Sequence, residues 1–420
     1  MRLLIVGSGA REHALAWNLG KSHRVSEICV APGNAGTDAI ARNLDLSIID
    51  IEGLARKAQQ EHIDLTVVGP EVPLAEGIVD VFRSRDMPIF GPTQSAACVE
   101  SSKVFAKELM IKKGIPCPSS AVFSSHEKAK EYLELQPMPV VVKADGLAAG
   151  KGVVVARSTK EAAKAIDDLM KARIFGSSGE RVIIEEFLTG REVSLLVFVD
   201  GKTIVPLVPA CDYKRVYDDD YGPNTGGMGS YSPPQFFDDA LTQEVTHTIL
   251  EPMVEALAEQ GVPYVGVLYV GLMVTPEGPK VLEFNARFGD PETQAILPRL
   301  KTDLLEALLA TVEGRLDHCQ IEWSDESCVG VVMASAGYPG SYSRGYPITG
   351  LDKLDPDILV FHAGTRVQDG RTLTDGGRVL TVTALGRTMA EAREKVYSNI
   401  SRIHFRGSQY RTDIALAEVK

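Results

Sequence analysis

An acid and an amide two residues apart, Glu283 and Asn285, close an apolar run and lead into the polar stretch NARFGDPETQ (285–294). On a strand, residues at period two share one face. A carboxylate and an amide oxygen placed that way suit Mg²⁺ or Mn²⁺, which keep several waters and bridge phosphates. Far upstream, Lys143 ends the β-branched run PVVVK, and the loop 146–152 carries Gly150, Lys151 and Gly152 at its tip. A cation, a flexible cover and oxygen ligands for a metal are what phosphoryl transfer from ATP requires. Each part alone has a bland alternative, a solvated strand-end turn for 283–285 and an ordinary hairpin tip for 146–152.

Between these stretches, Glu185, Glu186, Phe187 and Leu188 end another strand pattern, with Glu192 four residues further on. The backbone of such a segment can read an adenine edge, and Glu192 can accept ribose hydroxyls. Two glutamates after a strand are equally the mark of a solvated face. At the N-terminus, Gly7-Ser8-Gly9-Ala10-Arg11-Glu12 follows an apolar run and opens a helical pattern. As a dinucleotide fingerprint it fails twice. Glu12 stands at the third glycine position, and Ala31-Pro32-Gly33 stands where an acid should grip a ribose hydroxyl. What remains is a glycine turn at a helix start, where Gly9 and Arg11 could meet a phosphate. Loops containing Asn34 and Glu71 follow neighbouring strands. Three loops on one sheet edge would suit a phosphorylated sugar, with tight structural turns as the alternative.

These residues need elements to position them. Strands at 3–6, 28–31, 65–68 and 88–90 alternate with helical patterns such as 12–19, which predicts a parallel, helix-covered sheet over residues 1–100. A helix over 101–113, a hairpin over 139–156, a helix over 159–173 and a strand over 182–185 make a second unit, residues 101–192. A third, 193–325, holds strand signals at 193–209, a long polar loop at 211–235, a helix around 241–257 kinked by Pro252, and strands at 264–274 and 280–284. The last unit, 326–420, has strands at 328–335, 358–362 and 378–384 and a helix over 389–403. The class is α/β.

With 420 residues, 44% hydrophobic and 24% charged, the composition is that of a globular protein of several cores. A net charge of −12 argues against nucleic-acid binding through a basic surface. Cys29, Cys98, Cys117, Cys211, Cys319 and Cys328 are scattered, without metal-ligand spacing, so a reduced cytoplasmic setting is expected. The first apolar run reads as a buried strand rather than a signal peptide, and no run is long enough to predict a membrane span. Oligomeric state is open, a monomer being the simpler expectation.

Taken in order, GSGAREHA, VAPGNAGT, VVGPE, VVKADGLAAGKGV, IIEEFL, GPNTGGMGSYSP and VLEFNARFGDPETQ make the chain resemble the glycinamide ribonucleotide synthetases of the ATP-grasp superfamily over essentially its whole length. The resemblance implies a Rossmann-like N-terminal domain, a two-lobed ATP-grasp centre with a glycine-rich lid on its small lobe and the metal site on its large lobe, and a small C-terminal α/β domain. It also implies ATP-dependent ligation of glycine to 5-phosphoribosylamine through glycyl phosphate. On that footing Lys103 and Lys143 serve the phosphates and Glu283 and Asn285 the metal, while Arg287 stabilises the transferring phosphorus or the oxyanion. Asp212, Lys214, Arg215 and the turn Pro223, Asn224, Thr225, Gly226 and Gly227 shape the glycine and acceptor pocket. Asp290, Glu292 and Thr293 close it, and Gly9, Asn34 and Glu71 hold the ribose phosphate.

The chain departs from its relatives in three places. Ala286 stands where many carry Cys, so no catalytic thiol is expected. The tail reads Asp413-Ile414-Ala415-Leu416-Ala417 in place of DIG-x-R, so no catalytic role is expected there. Tyr213 replaces a frequent His, so no general base is assigned to that position. Two rivals are an ATP-grasp ligase for another acid or acceptor, and a nicotinamide oxidoreductase. GPNTGGMG and the N-terminal loops speak against the first, and the failed fingerprint against the second. A catalytically silent binding protein would not need Lys143, Glu283 and Asn285 together.

Overall fold

In the computed structural model, which describes residues 1–148 and 152–419, the chain opens on a five-stranded parallel sheet. Its strands are β1 (Arg2–Gly7), β2 (Glu27–Pro32), β3 (Arg42–Asn43), β4 (Leu65–Val68) and β5 (Ile89–Phe90), in the order β3-β2-β1-β4-β5. Leu3, Leu4, Ile5 and Val6 are fully buried, as a strand covered by helices on both faces requires. The order reverses between β1 and β4, and such a switch point is where doubly wound sheets leave a crevice for ligands. Gly9 lies in the turn after β1, and Glu71 opens the short helix Glu71–Ala75 that follows β4.

Four antiparallel strands follow, in the order Ser120–Phe123, Val182–Glu186, Val140–Ala144, Val153–Ala156. Ala129 and Leu133 from the helix His126–Leu133, and Ala162, Ala165 and Ile166 from the helix Thr159–Ile166, cover their apolar face. The expected helix over 159–173 leaves α geometry at Asp167 and runs on as a π turn to Lys171.

A second antiparallel sheet has the order Ile204–Pro206, Arg191–Asp200, Val265–Thr275, Gly278–Asn285. Beside it the helical run from Asp239 to Glu259 carries a π turn, Thr246–Leu250, directly before Pro252. Pro252 has no N–H for the carbonyl four residues back, and the widened turn relieves that clash where a kink was expected.

The long polar loop expected at 211–235 is instead four short strands: Cys211–Asp212, Arg215–Tyr217, Tyr221–Asn224 and Gly229–Ser232. The hydroxyls of Ser230 and Ser232, fully buried, donate to the carbonyls of Pro291 and Pro209. Polar side chains here bond to backbone inside the protein, so their polarity did not signal solvent. The first and last of these strands belong to a six-stranded sheet with Ser327–Ser335, Arg378–Gly386, Leu359–His362 and Ser408–Gln409. That sheet runs across the boundary expected at 325/326. The last long helix, Met389–Ile400, ends three residues before the expected 403. Among the described residues no helix is long and apolar enough to cross a membrane.

Candidate active site

Lys143 lies near the end of the strand Val140–Ala144, and its ammonium is buried 2.6 Å from Oε2 of Glu185. It also donates to the Leu282 carbonyl at 3.0 Å. The strand Gly278–Asn285 makes that carbonyl available through a bulge, since Gly271 pairs with Glu283 while Leu272 pairs with Val281, leaving Leu282 unopposed. The other oxygen of Glu185 lies 2.7 Å from Nζ of Lys107. Burial raises the Glu185 pKa, but Lys143 and Lys107 hold it below its ordinary value. Glu185 thus anchors two lysines through its side chain, in addition to the backbone role expected of it. Lys107 was not anticipated; its spacing of four from Lys103 on one helix face was the available signal.

Asp145 ties this strand to the helix Lys103–Lys113. Its Oδ1 accepts the Val104 N–H at 2.8 Å and the Ser102 hydroxyl at 3.0 Å. Lys103 then reaches the Gly146 carbonyl at 3.1 Å, at the root of the glycine-rich loop. Burial lowers its pKa, with Glu283 opposing. Gly150 and Lys151 lie outside the described residues.

Beyond the bulge the strand returns to period two, so Glu283 and Asn285 share a face. Burial alone would neutralise Glu283, but Lys214, Lys103, Lys143 and Arg287 together hold its pKa below the ordinary value. Oδ1 of Asn285 accepts from Arg287 at 3.4 Å. An ionised carboxylate beside an amide oxygen fits a divalent cation such as Mg²⁺. Among the described residues no cluster of three or more His, Cys, Asp or Glu offers an alternative metal site.

Arg287 is gripped by two carboxylates, Glu71 at 3.2 Å and Glu100 at 3.1 Å. Burial works against its charge, yet Glu100 and Glu71 raise its pKa above the ordinary value. The second oxygen of Glu100 accepts the Ala286 N–H at 2.7 Å, so one buried acid orients the segment that follows Asn285. Nothing in the local sequence distinguishes Glu100 from a surface glutamate.

Lys214 lies 2.7 Å from Glu192 and 3.8 Å from Asp212. Burial pushes the Asp212 pKa upward, Lys214 opposes it, and Glu292, Glu192 and Glu283 add to it. The acid expected at the ribose and the lysine expected at the glycine pocket are therefore an ion pair. Thr225 accepts the Gly227 N–H and donates to the Lys214 carbonyl, which fixes the turn 223–227 beside them. Asn224 reaches the Val153 carbonyl at 3.5 Å, on the far side of the glycine-rich loop. Gly152 packs against Ala144 and Ala148 at the root of that loop.

Three further groups of expected site residues have partners within the chain. Arg215 donates to the Gly222 carbonyl at 2.7 Å and braces its own hairpin, in which Pro223 is exposed. The Thr293 hydroxyl donates to Gly289 at 2.6 Å and is buried, while Glu292 accepts from Ser194 and Tyr269, so both brace the 288–293 loop from within. At the N-terminus the Gly9 N–H is committed to Oε2 of Glu12 at 2.5 Å, and Oε1 of Glu12 pairs with Arg11 at 2.6 Å. The Asn34 amide is also spent internally, capping Gly36 and Thr37 and donating to the carbonyls of Ser8 and His362. The Glu12 carboxylate thus lies at the glycine turn where a phosphate was expected. Asp290, whose Oδ2 would lie 3.4 Å from a Cβ on Gly9, faces this loop.

A cavity of about 340 Å³ opens beside Ile184, Glu185, Glu186 and Phe187, closed by Ser119, Tyr132 and the segment 136–140. Phe187 is exposed and Leu188 buried. Glu185, in the wall of this cavity, pairs with Lys143, which in turn bonds the carbonyl next to Glu283. Models of the phosphoribosylglycinamide synthetase N domain, ATP-grasp (A) domain and C domain match residues 1–100, 101–293 and 328–417. The chain belongs to the phosphoribosylglycinamide synthetase family. It is 51% identical to the phosphoribosylamine–glycine ligase of Caldanaerobacter subterraneus subsp. tengcongensis, over 99% of each chain. It is 48% identical to that of Escherichia coli O157:H7, over 99% of this chain and 98% of the other. A crystal structure of the Thermotoga maritima phosphoribosylamine–glycine ligase superposes with a TM-score of 0.87 at 35% identity, covering 99% of this chain and 100% of that one. Membership in the phosphoribosylglycinamide synthetases gives the Rossmann-like, ATP-grasp and C-terminal parts of the fold their family counterparts.

Proposed function

We infer that the protein joins glycine to 5-phosphoribosylamine, converting ATP to ADP and phosphate and yielding glycinamide ribonucleotide, in de novo purine synthesis. The activity borne in the names of relatives that match end to end supports this. So does one feature of the site: Glu283 stands ionised among Lys214, Lys103, Lys143 and Arg287. Such a cluster suits a triphosphate and a carboxylate that must approach each other despite like charge.

A carboxylate has no usable leaving group, so an oxygen of glycine first attacks the γ-phosphorus and ADP departs. The acceptor's amine then attacks the carbonyl carbon of glycyl phosphate, phosphate leaves with that oxygen, and the amine loses its proton. Lys143, oriented by Glu185, and Lys103 neutralise the phosphates, and the loop 146–152 excludes water. Arg287 offsets the negative charge that builds on the transferring group or the oxyanion. Glu283 and Asn285 would hold Mg²⁺, with Mn²⁺ as the alternative, and the bound cation would further neutralise the phosphate oxygens. Adenine occupies the cavity beside Glu186, Phe187 and Leu188, with Glu192 at the ribose. Asp212, Lys214 and the turn 223–227 receive glycine. The acceptor lies between that turn, Asp290 and the N-terminal edge, where Glu71 can take ribose hydroxyls. The setting is cytoplasmic, in keeping with six free cysteines.

The test is phosphate release from ATP with freshly prepared phosphoribosylamine and ¹⁸O-glycine. Glycine-dependent turnover with ¹⁸O appearing in phosphate is expected; turnover with another acid and none with glycine overturns the reading. Glu283→Ala should abolish metal-dependent turnover while the protein stays folded, and near-normal activity would remove the metal assignment.

A further inference from the structure

The Gly226 peptide is held at both of its polar groups by residues from the far end of the chain. Its N–H donates to the Tyr338 hydroxyl at 2.9 Å, and its carbonyl accepts from Nη1 of Arg378. The same guanidinium donates to the Asp290 carbonyl at 3.1 Å, and its Nη2 lies 3.2 Å from the Asp290 carboxylate. Asp290 is steadied on its other oxygen by Gln294 at 2.8 Å. One arginine therefore joins two loops that are separate in sequence, 223–227 and 288–293.

The support is built rather than incidental. Arg378 opens the strand Arg378–Gly386, the neighbour of Ser327–Ser335 in the six-stranded sheet, so its base is rigid. Gly377 has no side chain, and a Cβ there would lie 2.3 Å from the Tyr338 ring, so the glycine lets that ring lie against the arginine's strand. Tyr338 also packs on Val216, Met228 and Ala334, at the root of the Gly226 turn. Gly227, at φ +106°, is in the left-handed region, and a Cβ there would lie 2.3 Å from Pro291. The two loops thus approach closely, and Arg378 spans them with donors in a fixed plane.

We propose that Arg378 and Tyr338 are positioning residues for the ligation, holding the Gly226 turn and Asp290 in the geometry that the glycine and acceptor pocket needs. The inference rests on the reading of that turn as pocket wall. A lysine at 378 keeps one charge but cannot reach two carbonyls and a carboxylate in one plane. The nucleotide cavity is lined from other strands, so the effect should be confined to the two smaller substrates.

The experiment measures KM for ATP, glycine and phosphoribosylamine, with kcat and melting temperature, for Arg378→Lys, Tyr338→Phe and Thr225→Val. Thr225→Val disturbs the turn from within and does not touch the C-terminal residues. Arg378→Lys should raise KM for glycine or phosphoribosylamine about ten-fold or more and leave KM for ATP within about two-fold. Tyr338→Phe, which removes only a hydroxyl, should do the same to a smaller degree without loss of folding. If Thr225→Val raises those KM values and neither C-terminal variant does, the proposal falls and the pocket reading stands. If none of the three moves them, both fall. An equal rise in all three KM values with a lowered melting temperature would mark a merely structural role and overturns the proposal.

Discussion

Nδ1 of His13 accepts the backbone N–H of His362 at 2.9 Å, joining the first helix of the chain to a strand near its other end. The acceptor exists only while the imidazole is neutral. Burial first, and then the neighbouring His362 ring, push the His13 pKa down to about 3; burial pushes His362 down to about 4. In the unfolded chain an imidazole titrates near pH 6.5. As pH falls below that value the unfolded state gains protons before the folded state does, so stability is lost progressively from about pH 6.5 downward. For His13 the loss between pH 7 and pH 5 should be about 2 kcal/mol. His13→Asn, which keeps an acceptor near the Nδ1 position, should flatten the slope of unfolding free energy over that range. An unchanged slope in urea titrations would show that this contact does not carry the pH dependence.

Glu185 sits between Lys107 and Lys143 with all three groups buried. Removing one partner from such a set costs far more than the set contributes, because charge is left uncompensated. Glu185→Gln should leave two neighbouring ammonium groups to repel and pull Lys143 from its place. kcat/KM for ATP should then fall about ten-fold or more, with unfolding easier by about 3 kcal/mol. Full turnover in Glu185→Gln, or in Lys143→Met, would mean that Lys143 needs no such anchor or does not serve the phosphates.

Tyr213 is tied to the backbone near the other end of the chain. Its hydroxyl accepts the Ala415 N–H at 3.0 Å, and burial pushes its pKa up to about 12. Its ring lies under the Arg411 guanidinium, 4.6 Å from the centroid. Tyr213→Phe should orphan a buried N–H, lower stability by about 1–2 kcal/mol and leave kcat unchanged. A large drop in kcat with normal stability would reverse that assignment.

The residues proposed to carry charge to the reaction could be picked out in the sequence, and their partners could not. Glu283 and Asn285 could be placed on one face because period two is local, and Lys143 because it ends an apolar strand. The parallel, helix-covered sheet of residues 1–100 followed from strand–helix alternation. Glu100 and Arg378 escaped because their meaning lies in contacts with residues far away in sequence, Glu100 with Ala286 and Arg378 with Gly226. The strands within 211–235 escaped for a related reason. Their polar residues satisfy backbone groups inside the protein, and a single sequence cannot distinguish that from exposure to water.

Glu12 carries the last prediction. Its carboxylate accepts the Gly9 N–H, pairs with Arg11 and lies where a Cβ on Gly7 or Gly69 would collide with it, at 2.5 and 2.0 Å. In dinucleotide-binding folds that crevice, between the first and fourth strands and before a helix N-terminus, takes a pyrophosphate. Here the Glu12 carboxylate lies in that crevice. Glu12→Ala should leave the Arg11 guanidinium and the Gly9 N–H without their partner, at a cost of about 3 kcal/mol. Inorganic phosphate should then restore part of the loss by mass action. Melting temperatures against phosphate concentration, with chloride matching ionic strength, should rise more steeply for Glu12→Ala than for the parent protein. Equal slopes would mean that the emptied crevice does not bind an anion, and that Glu12 serves packing rather than charge.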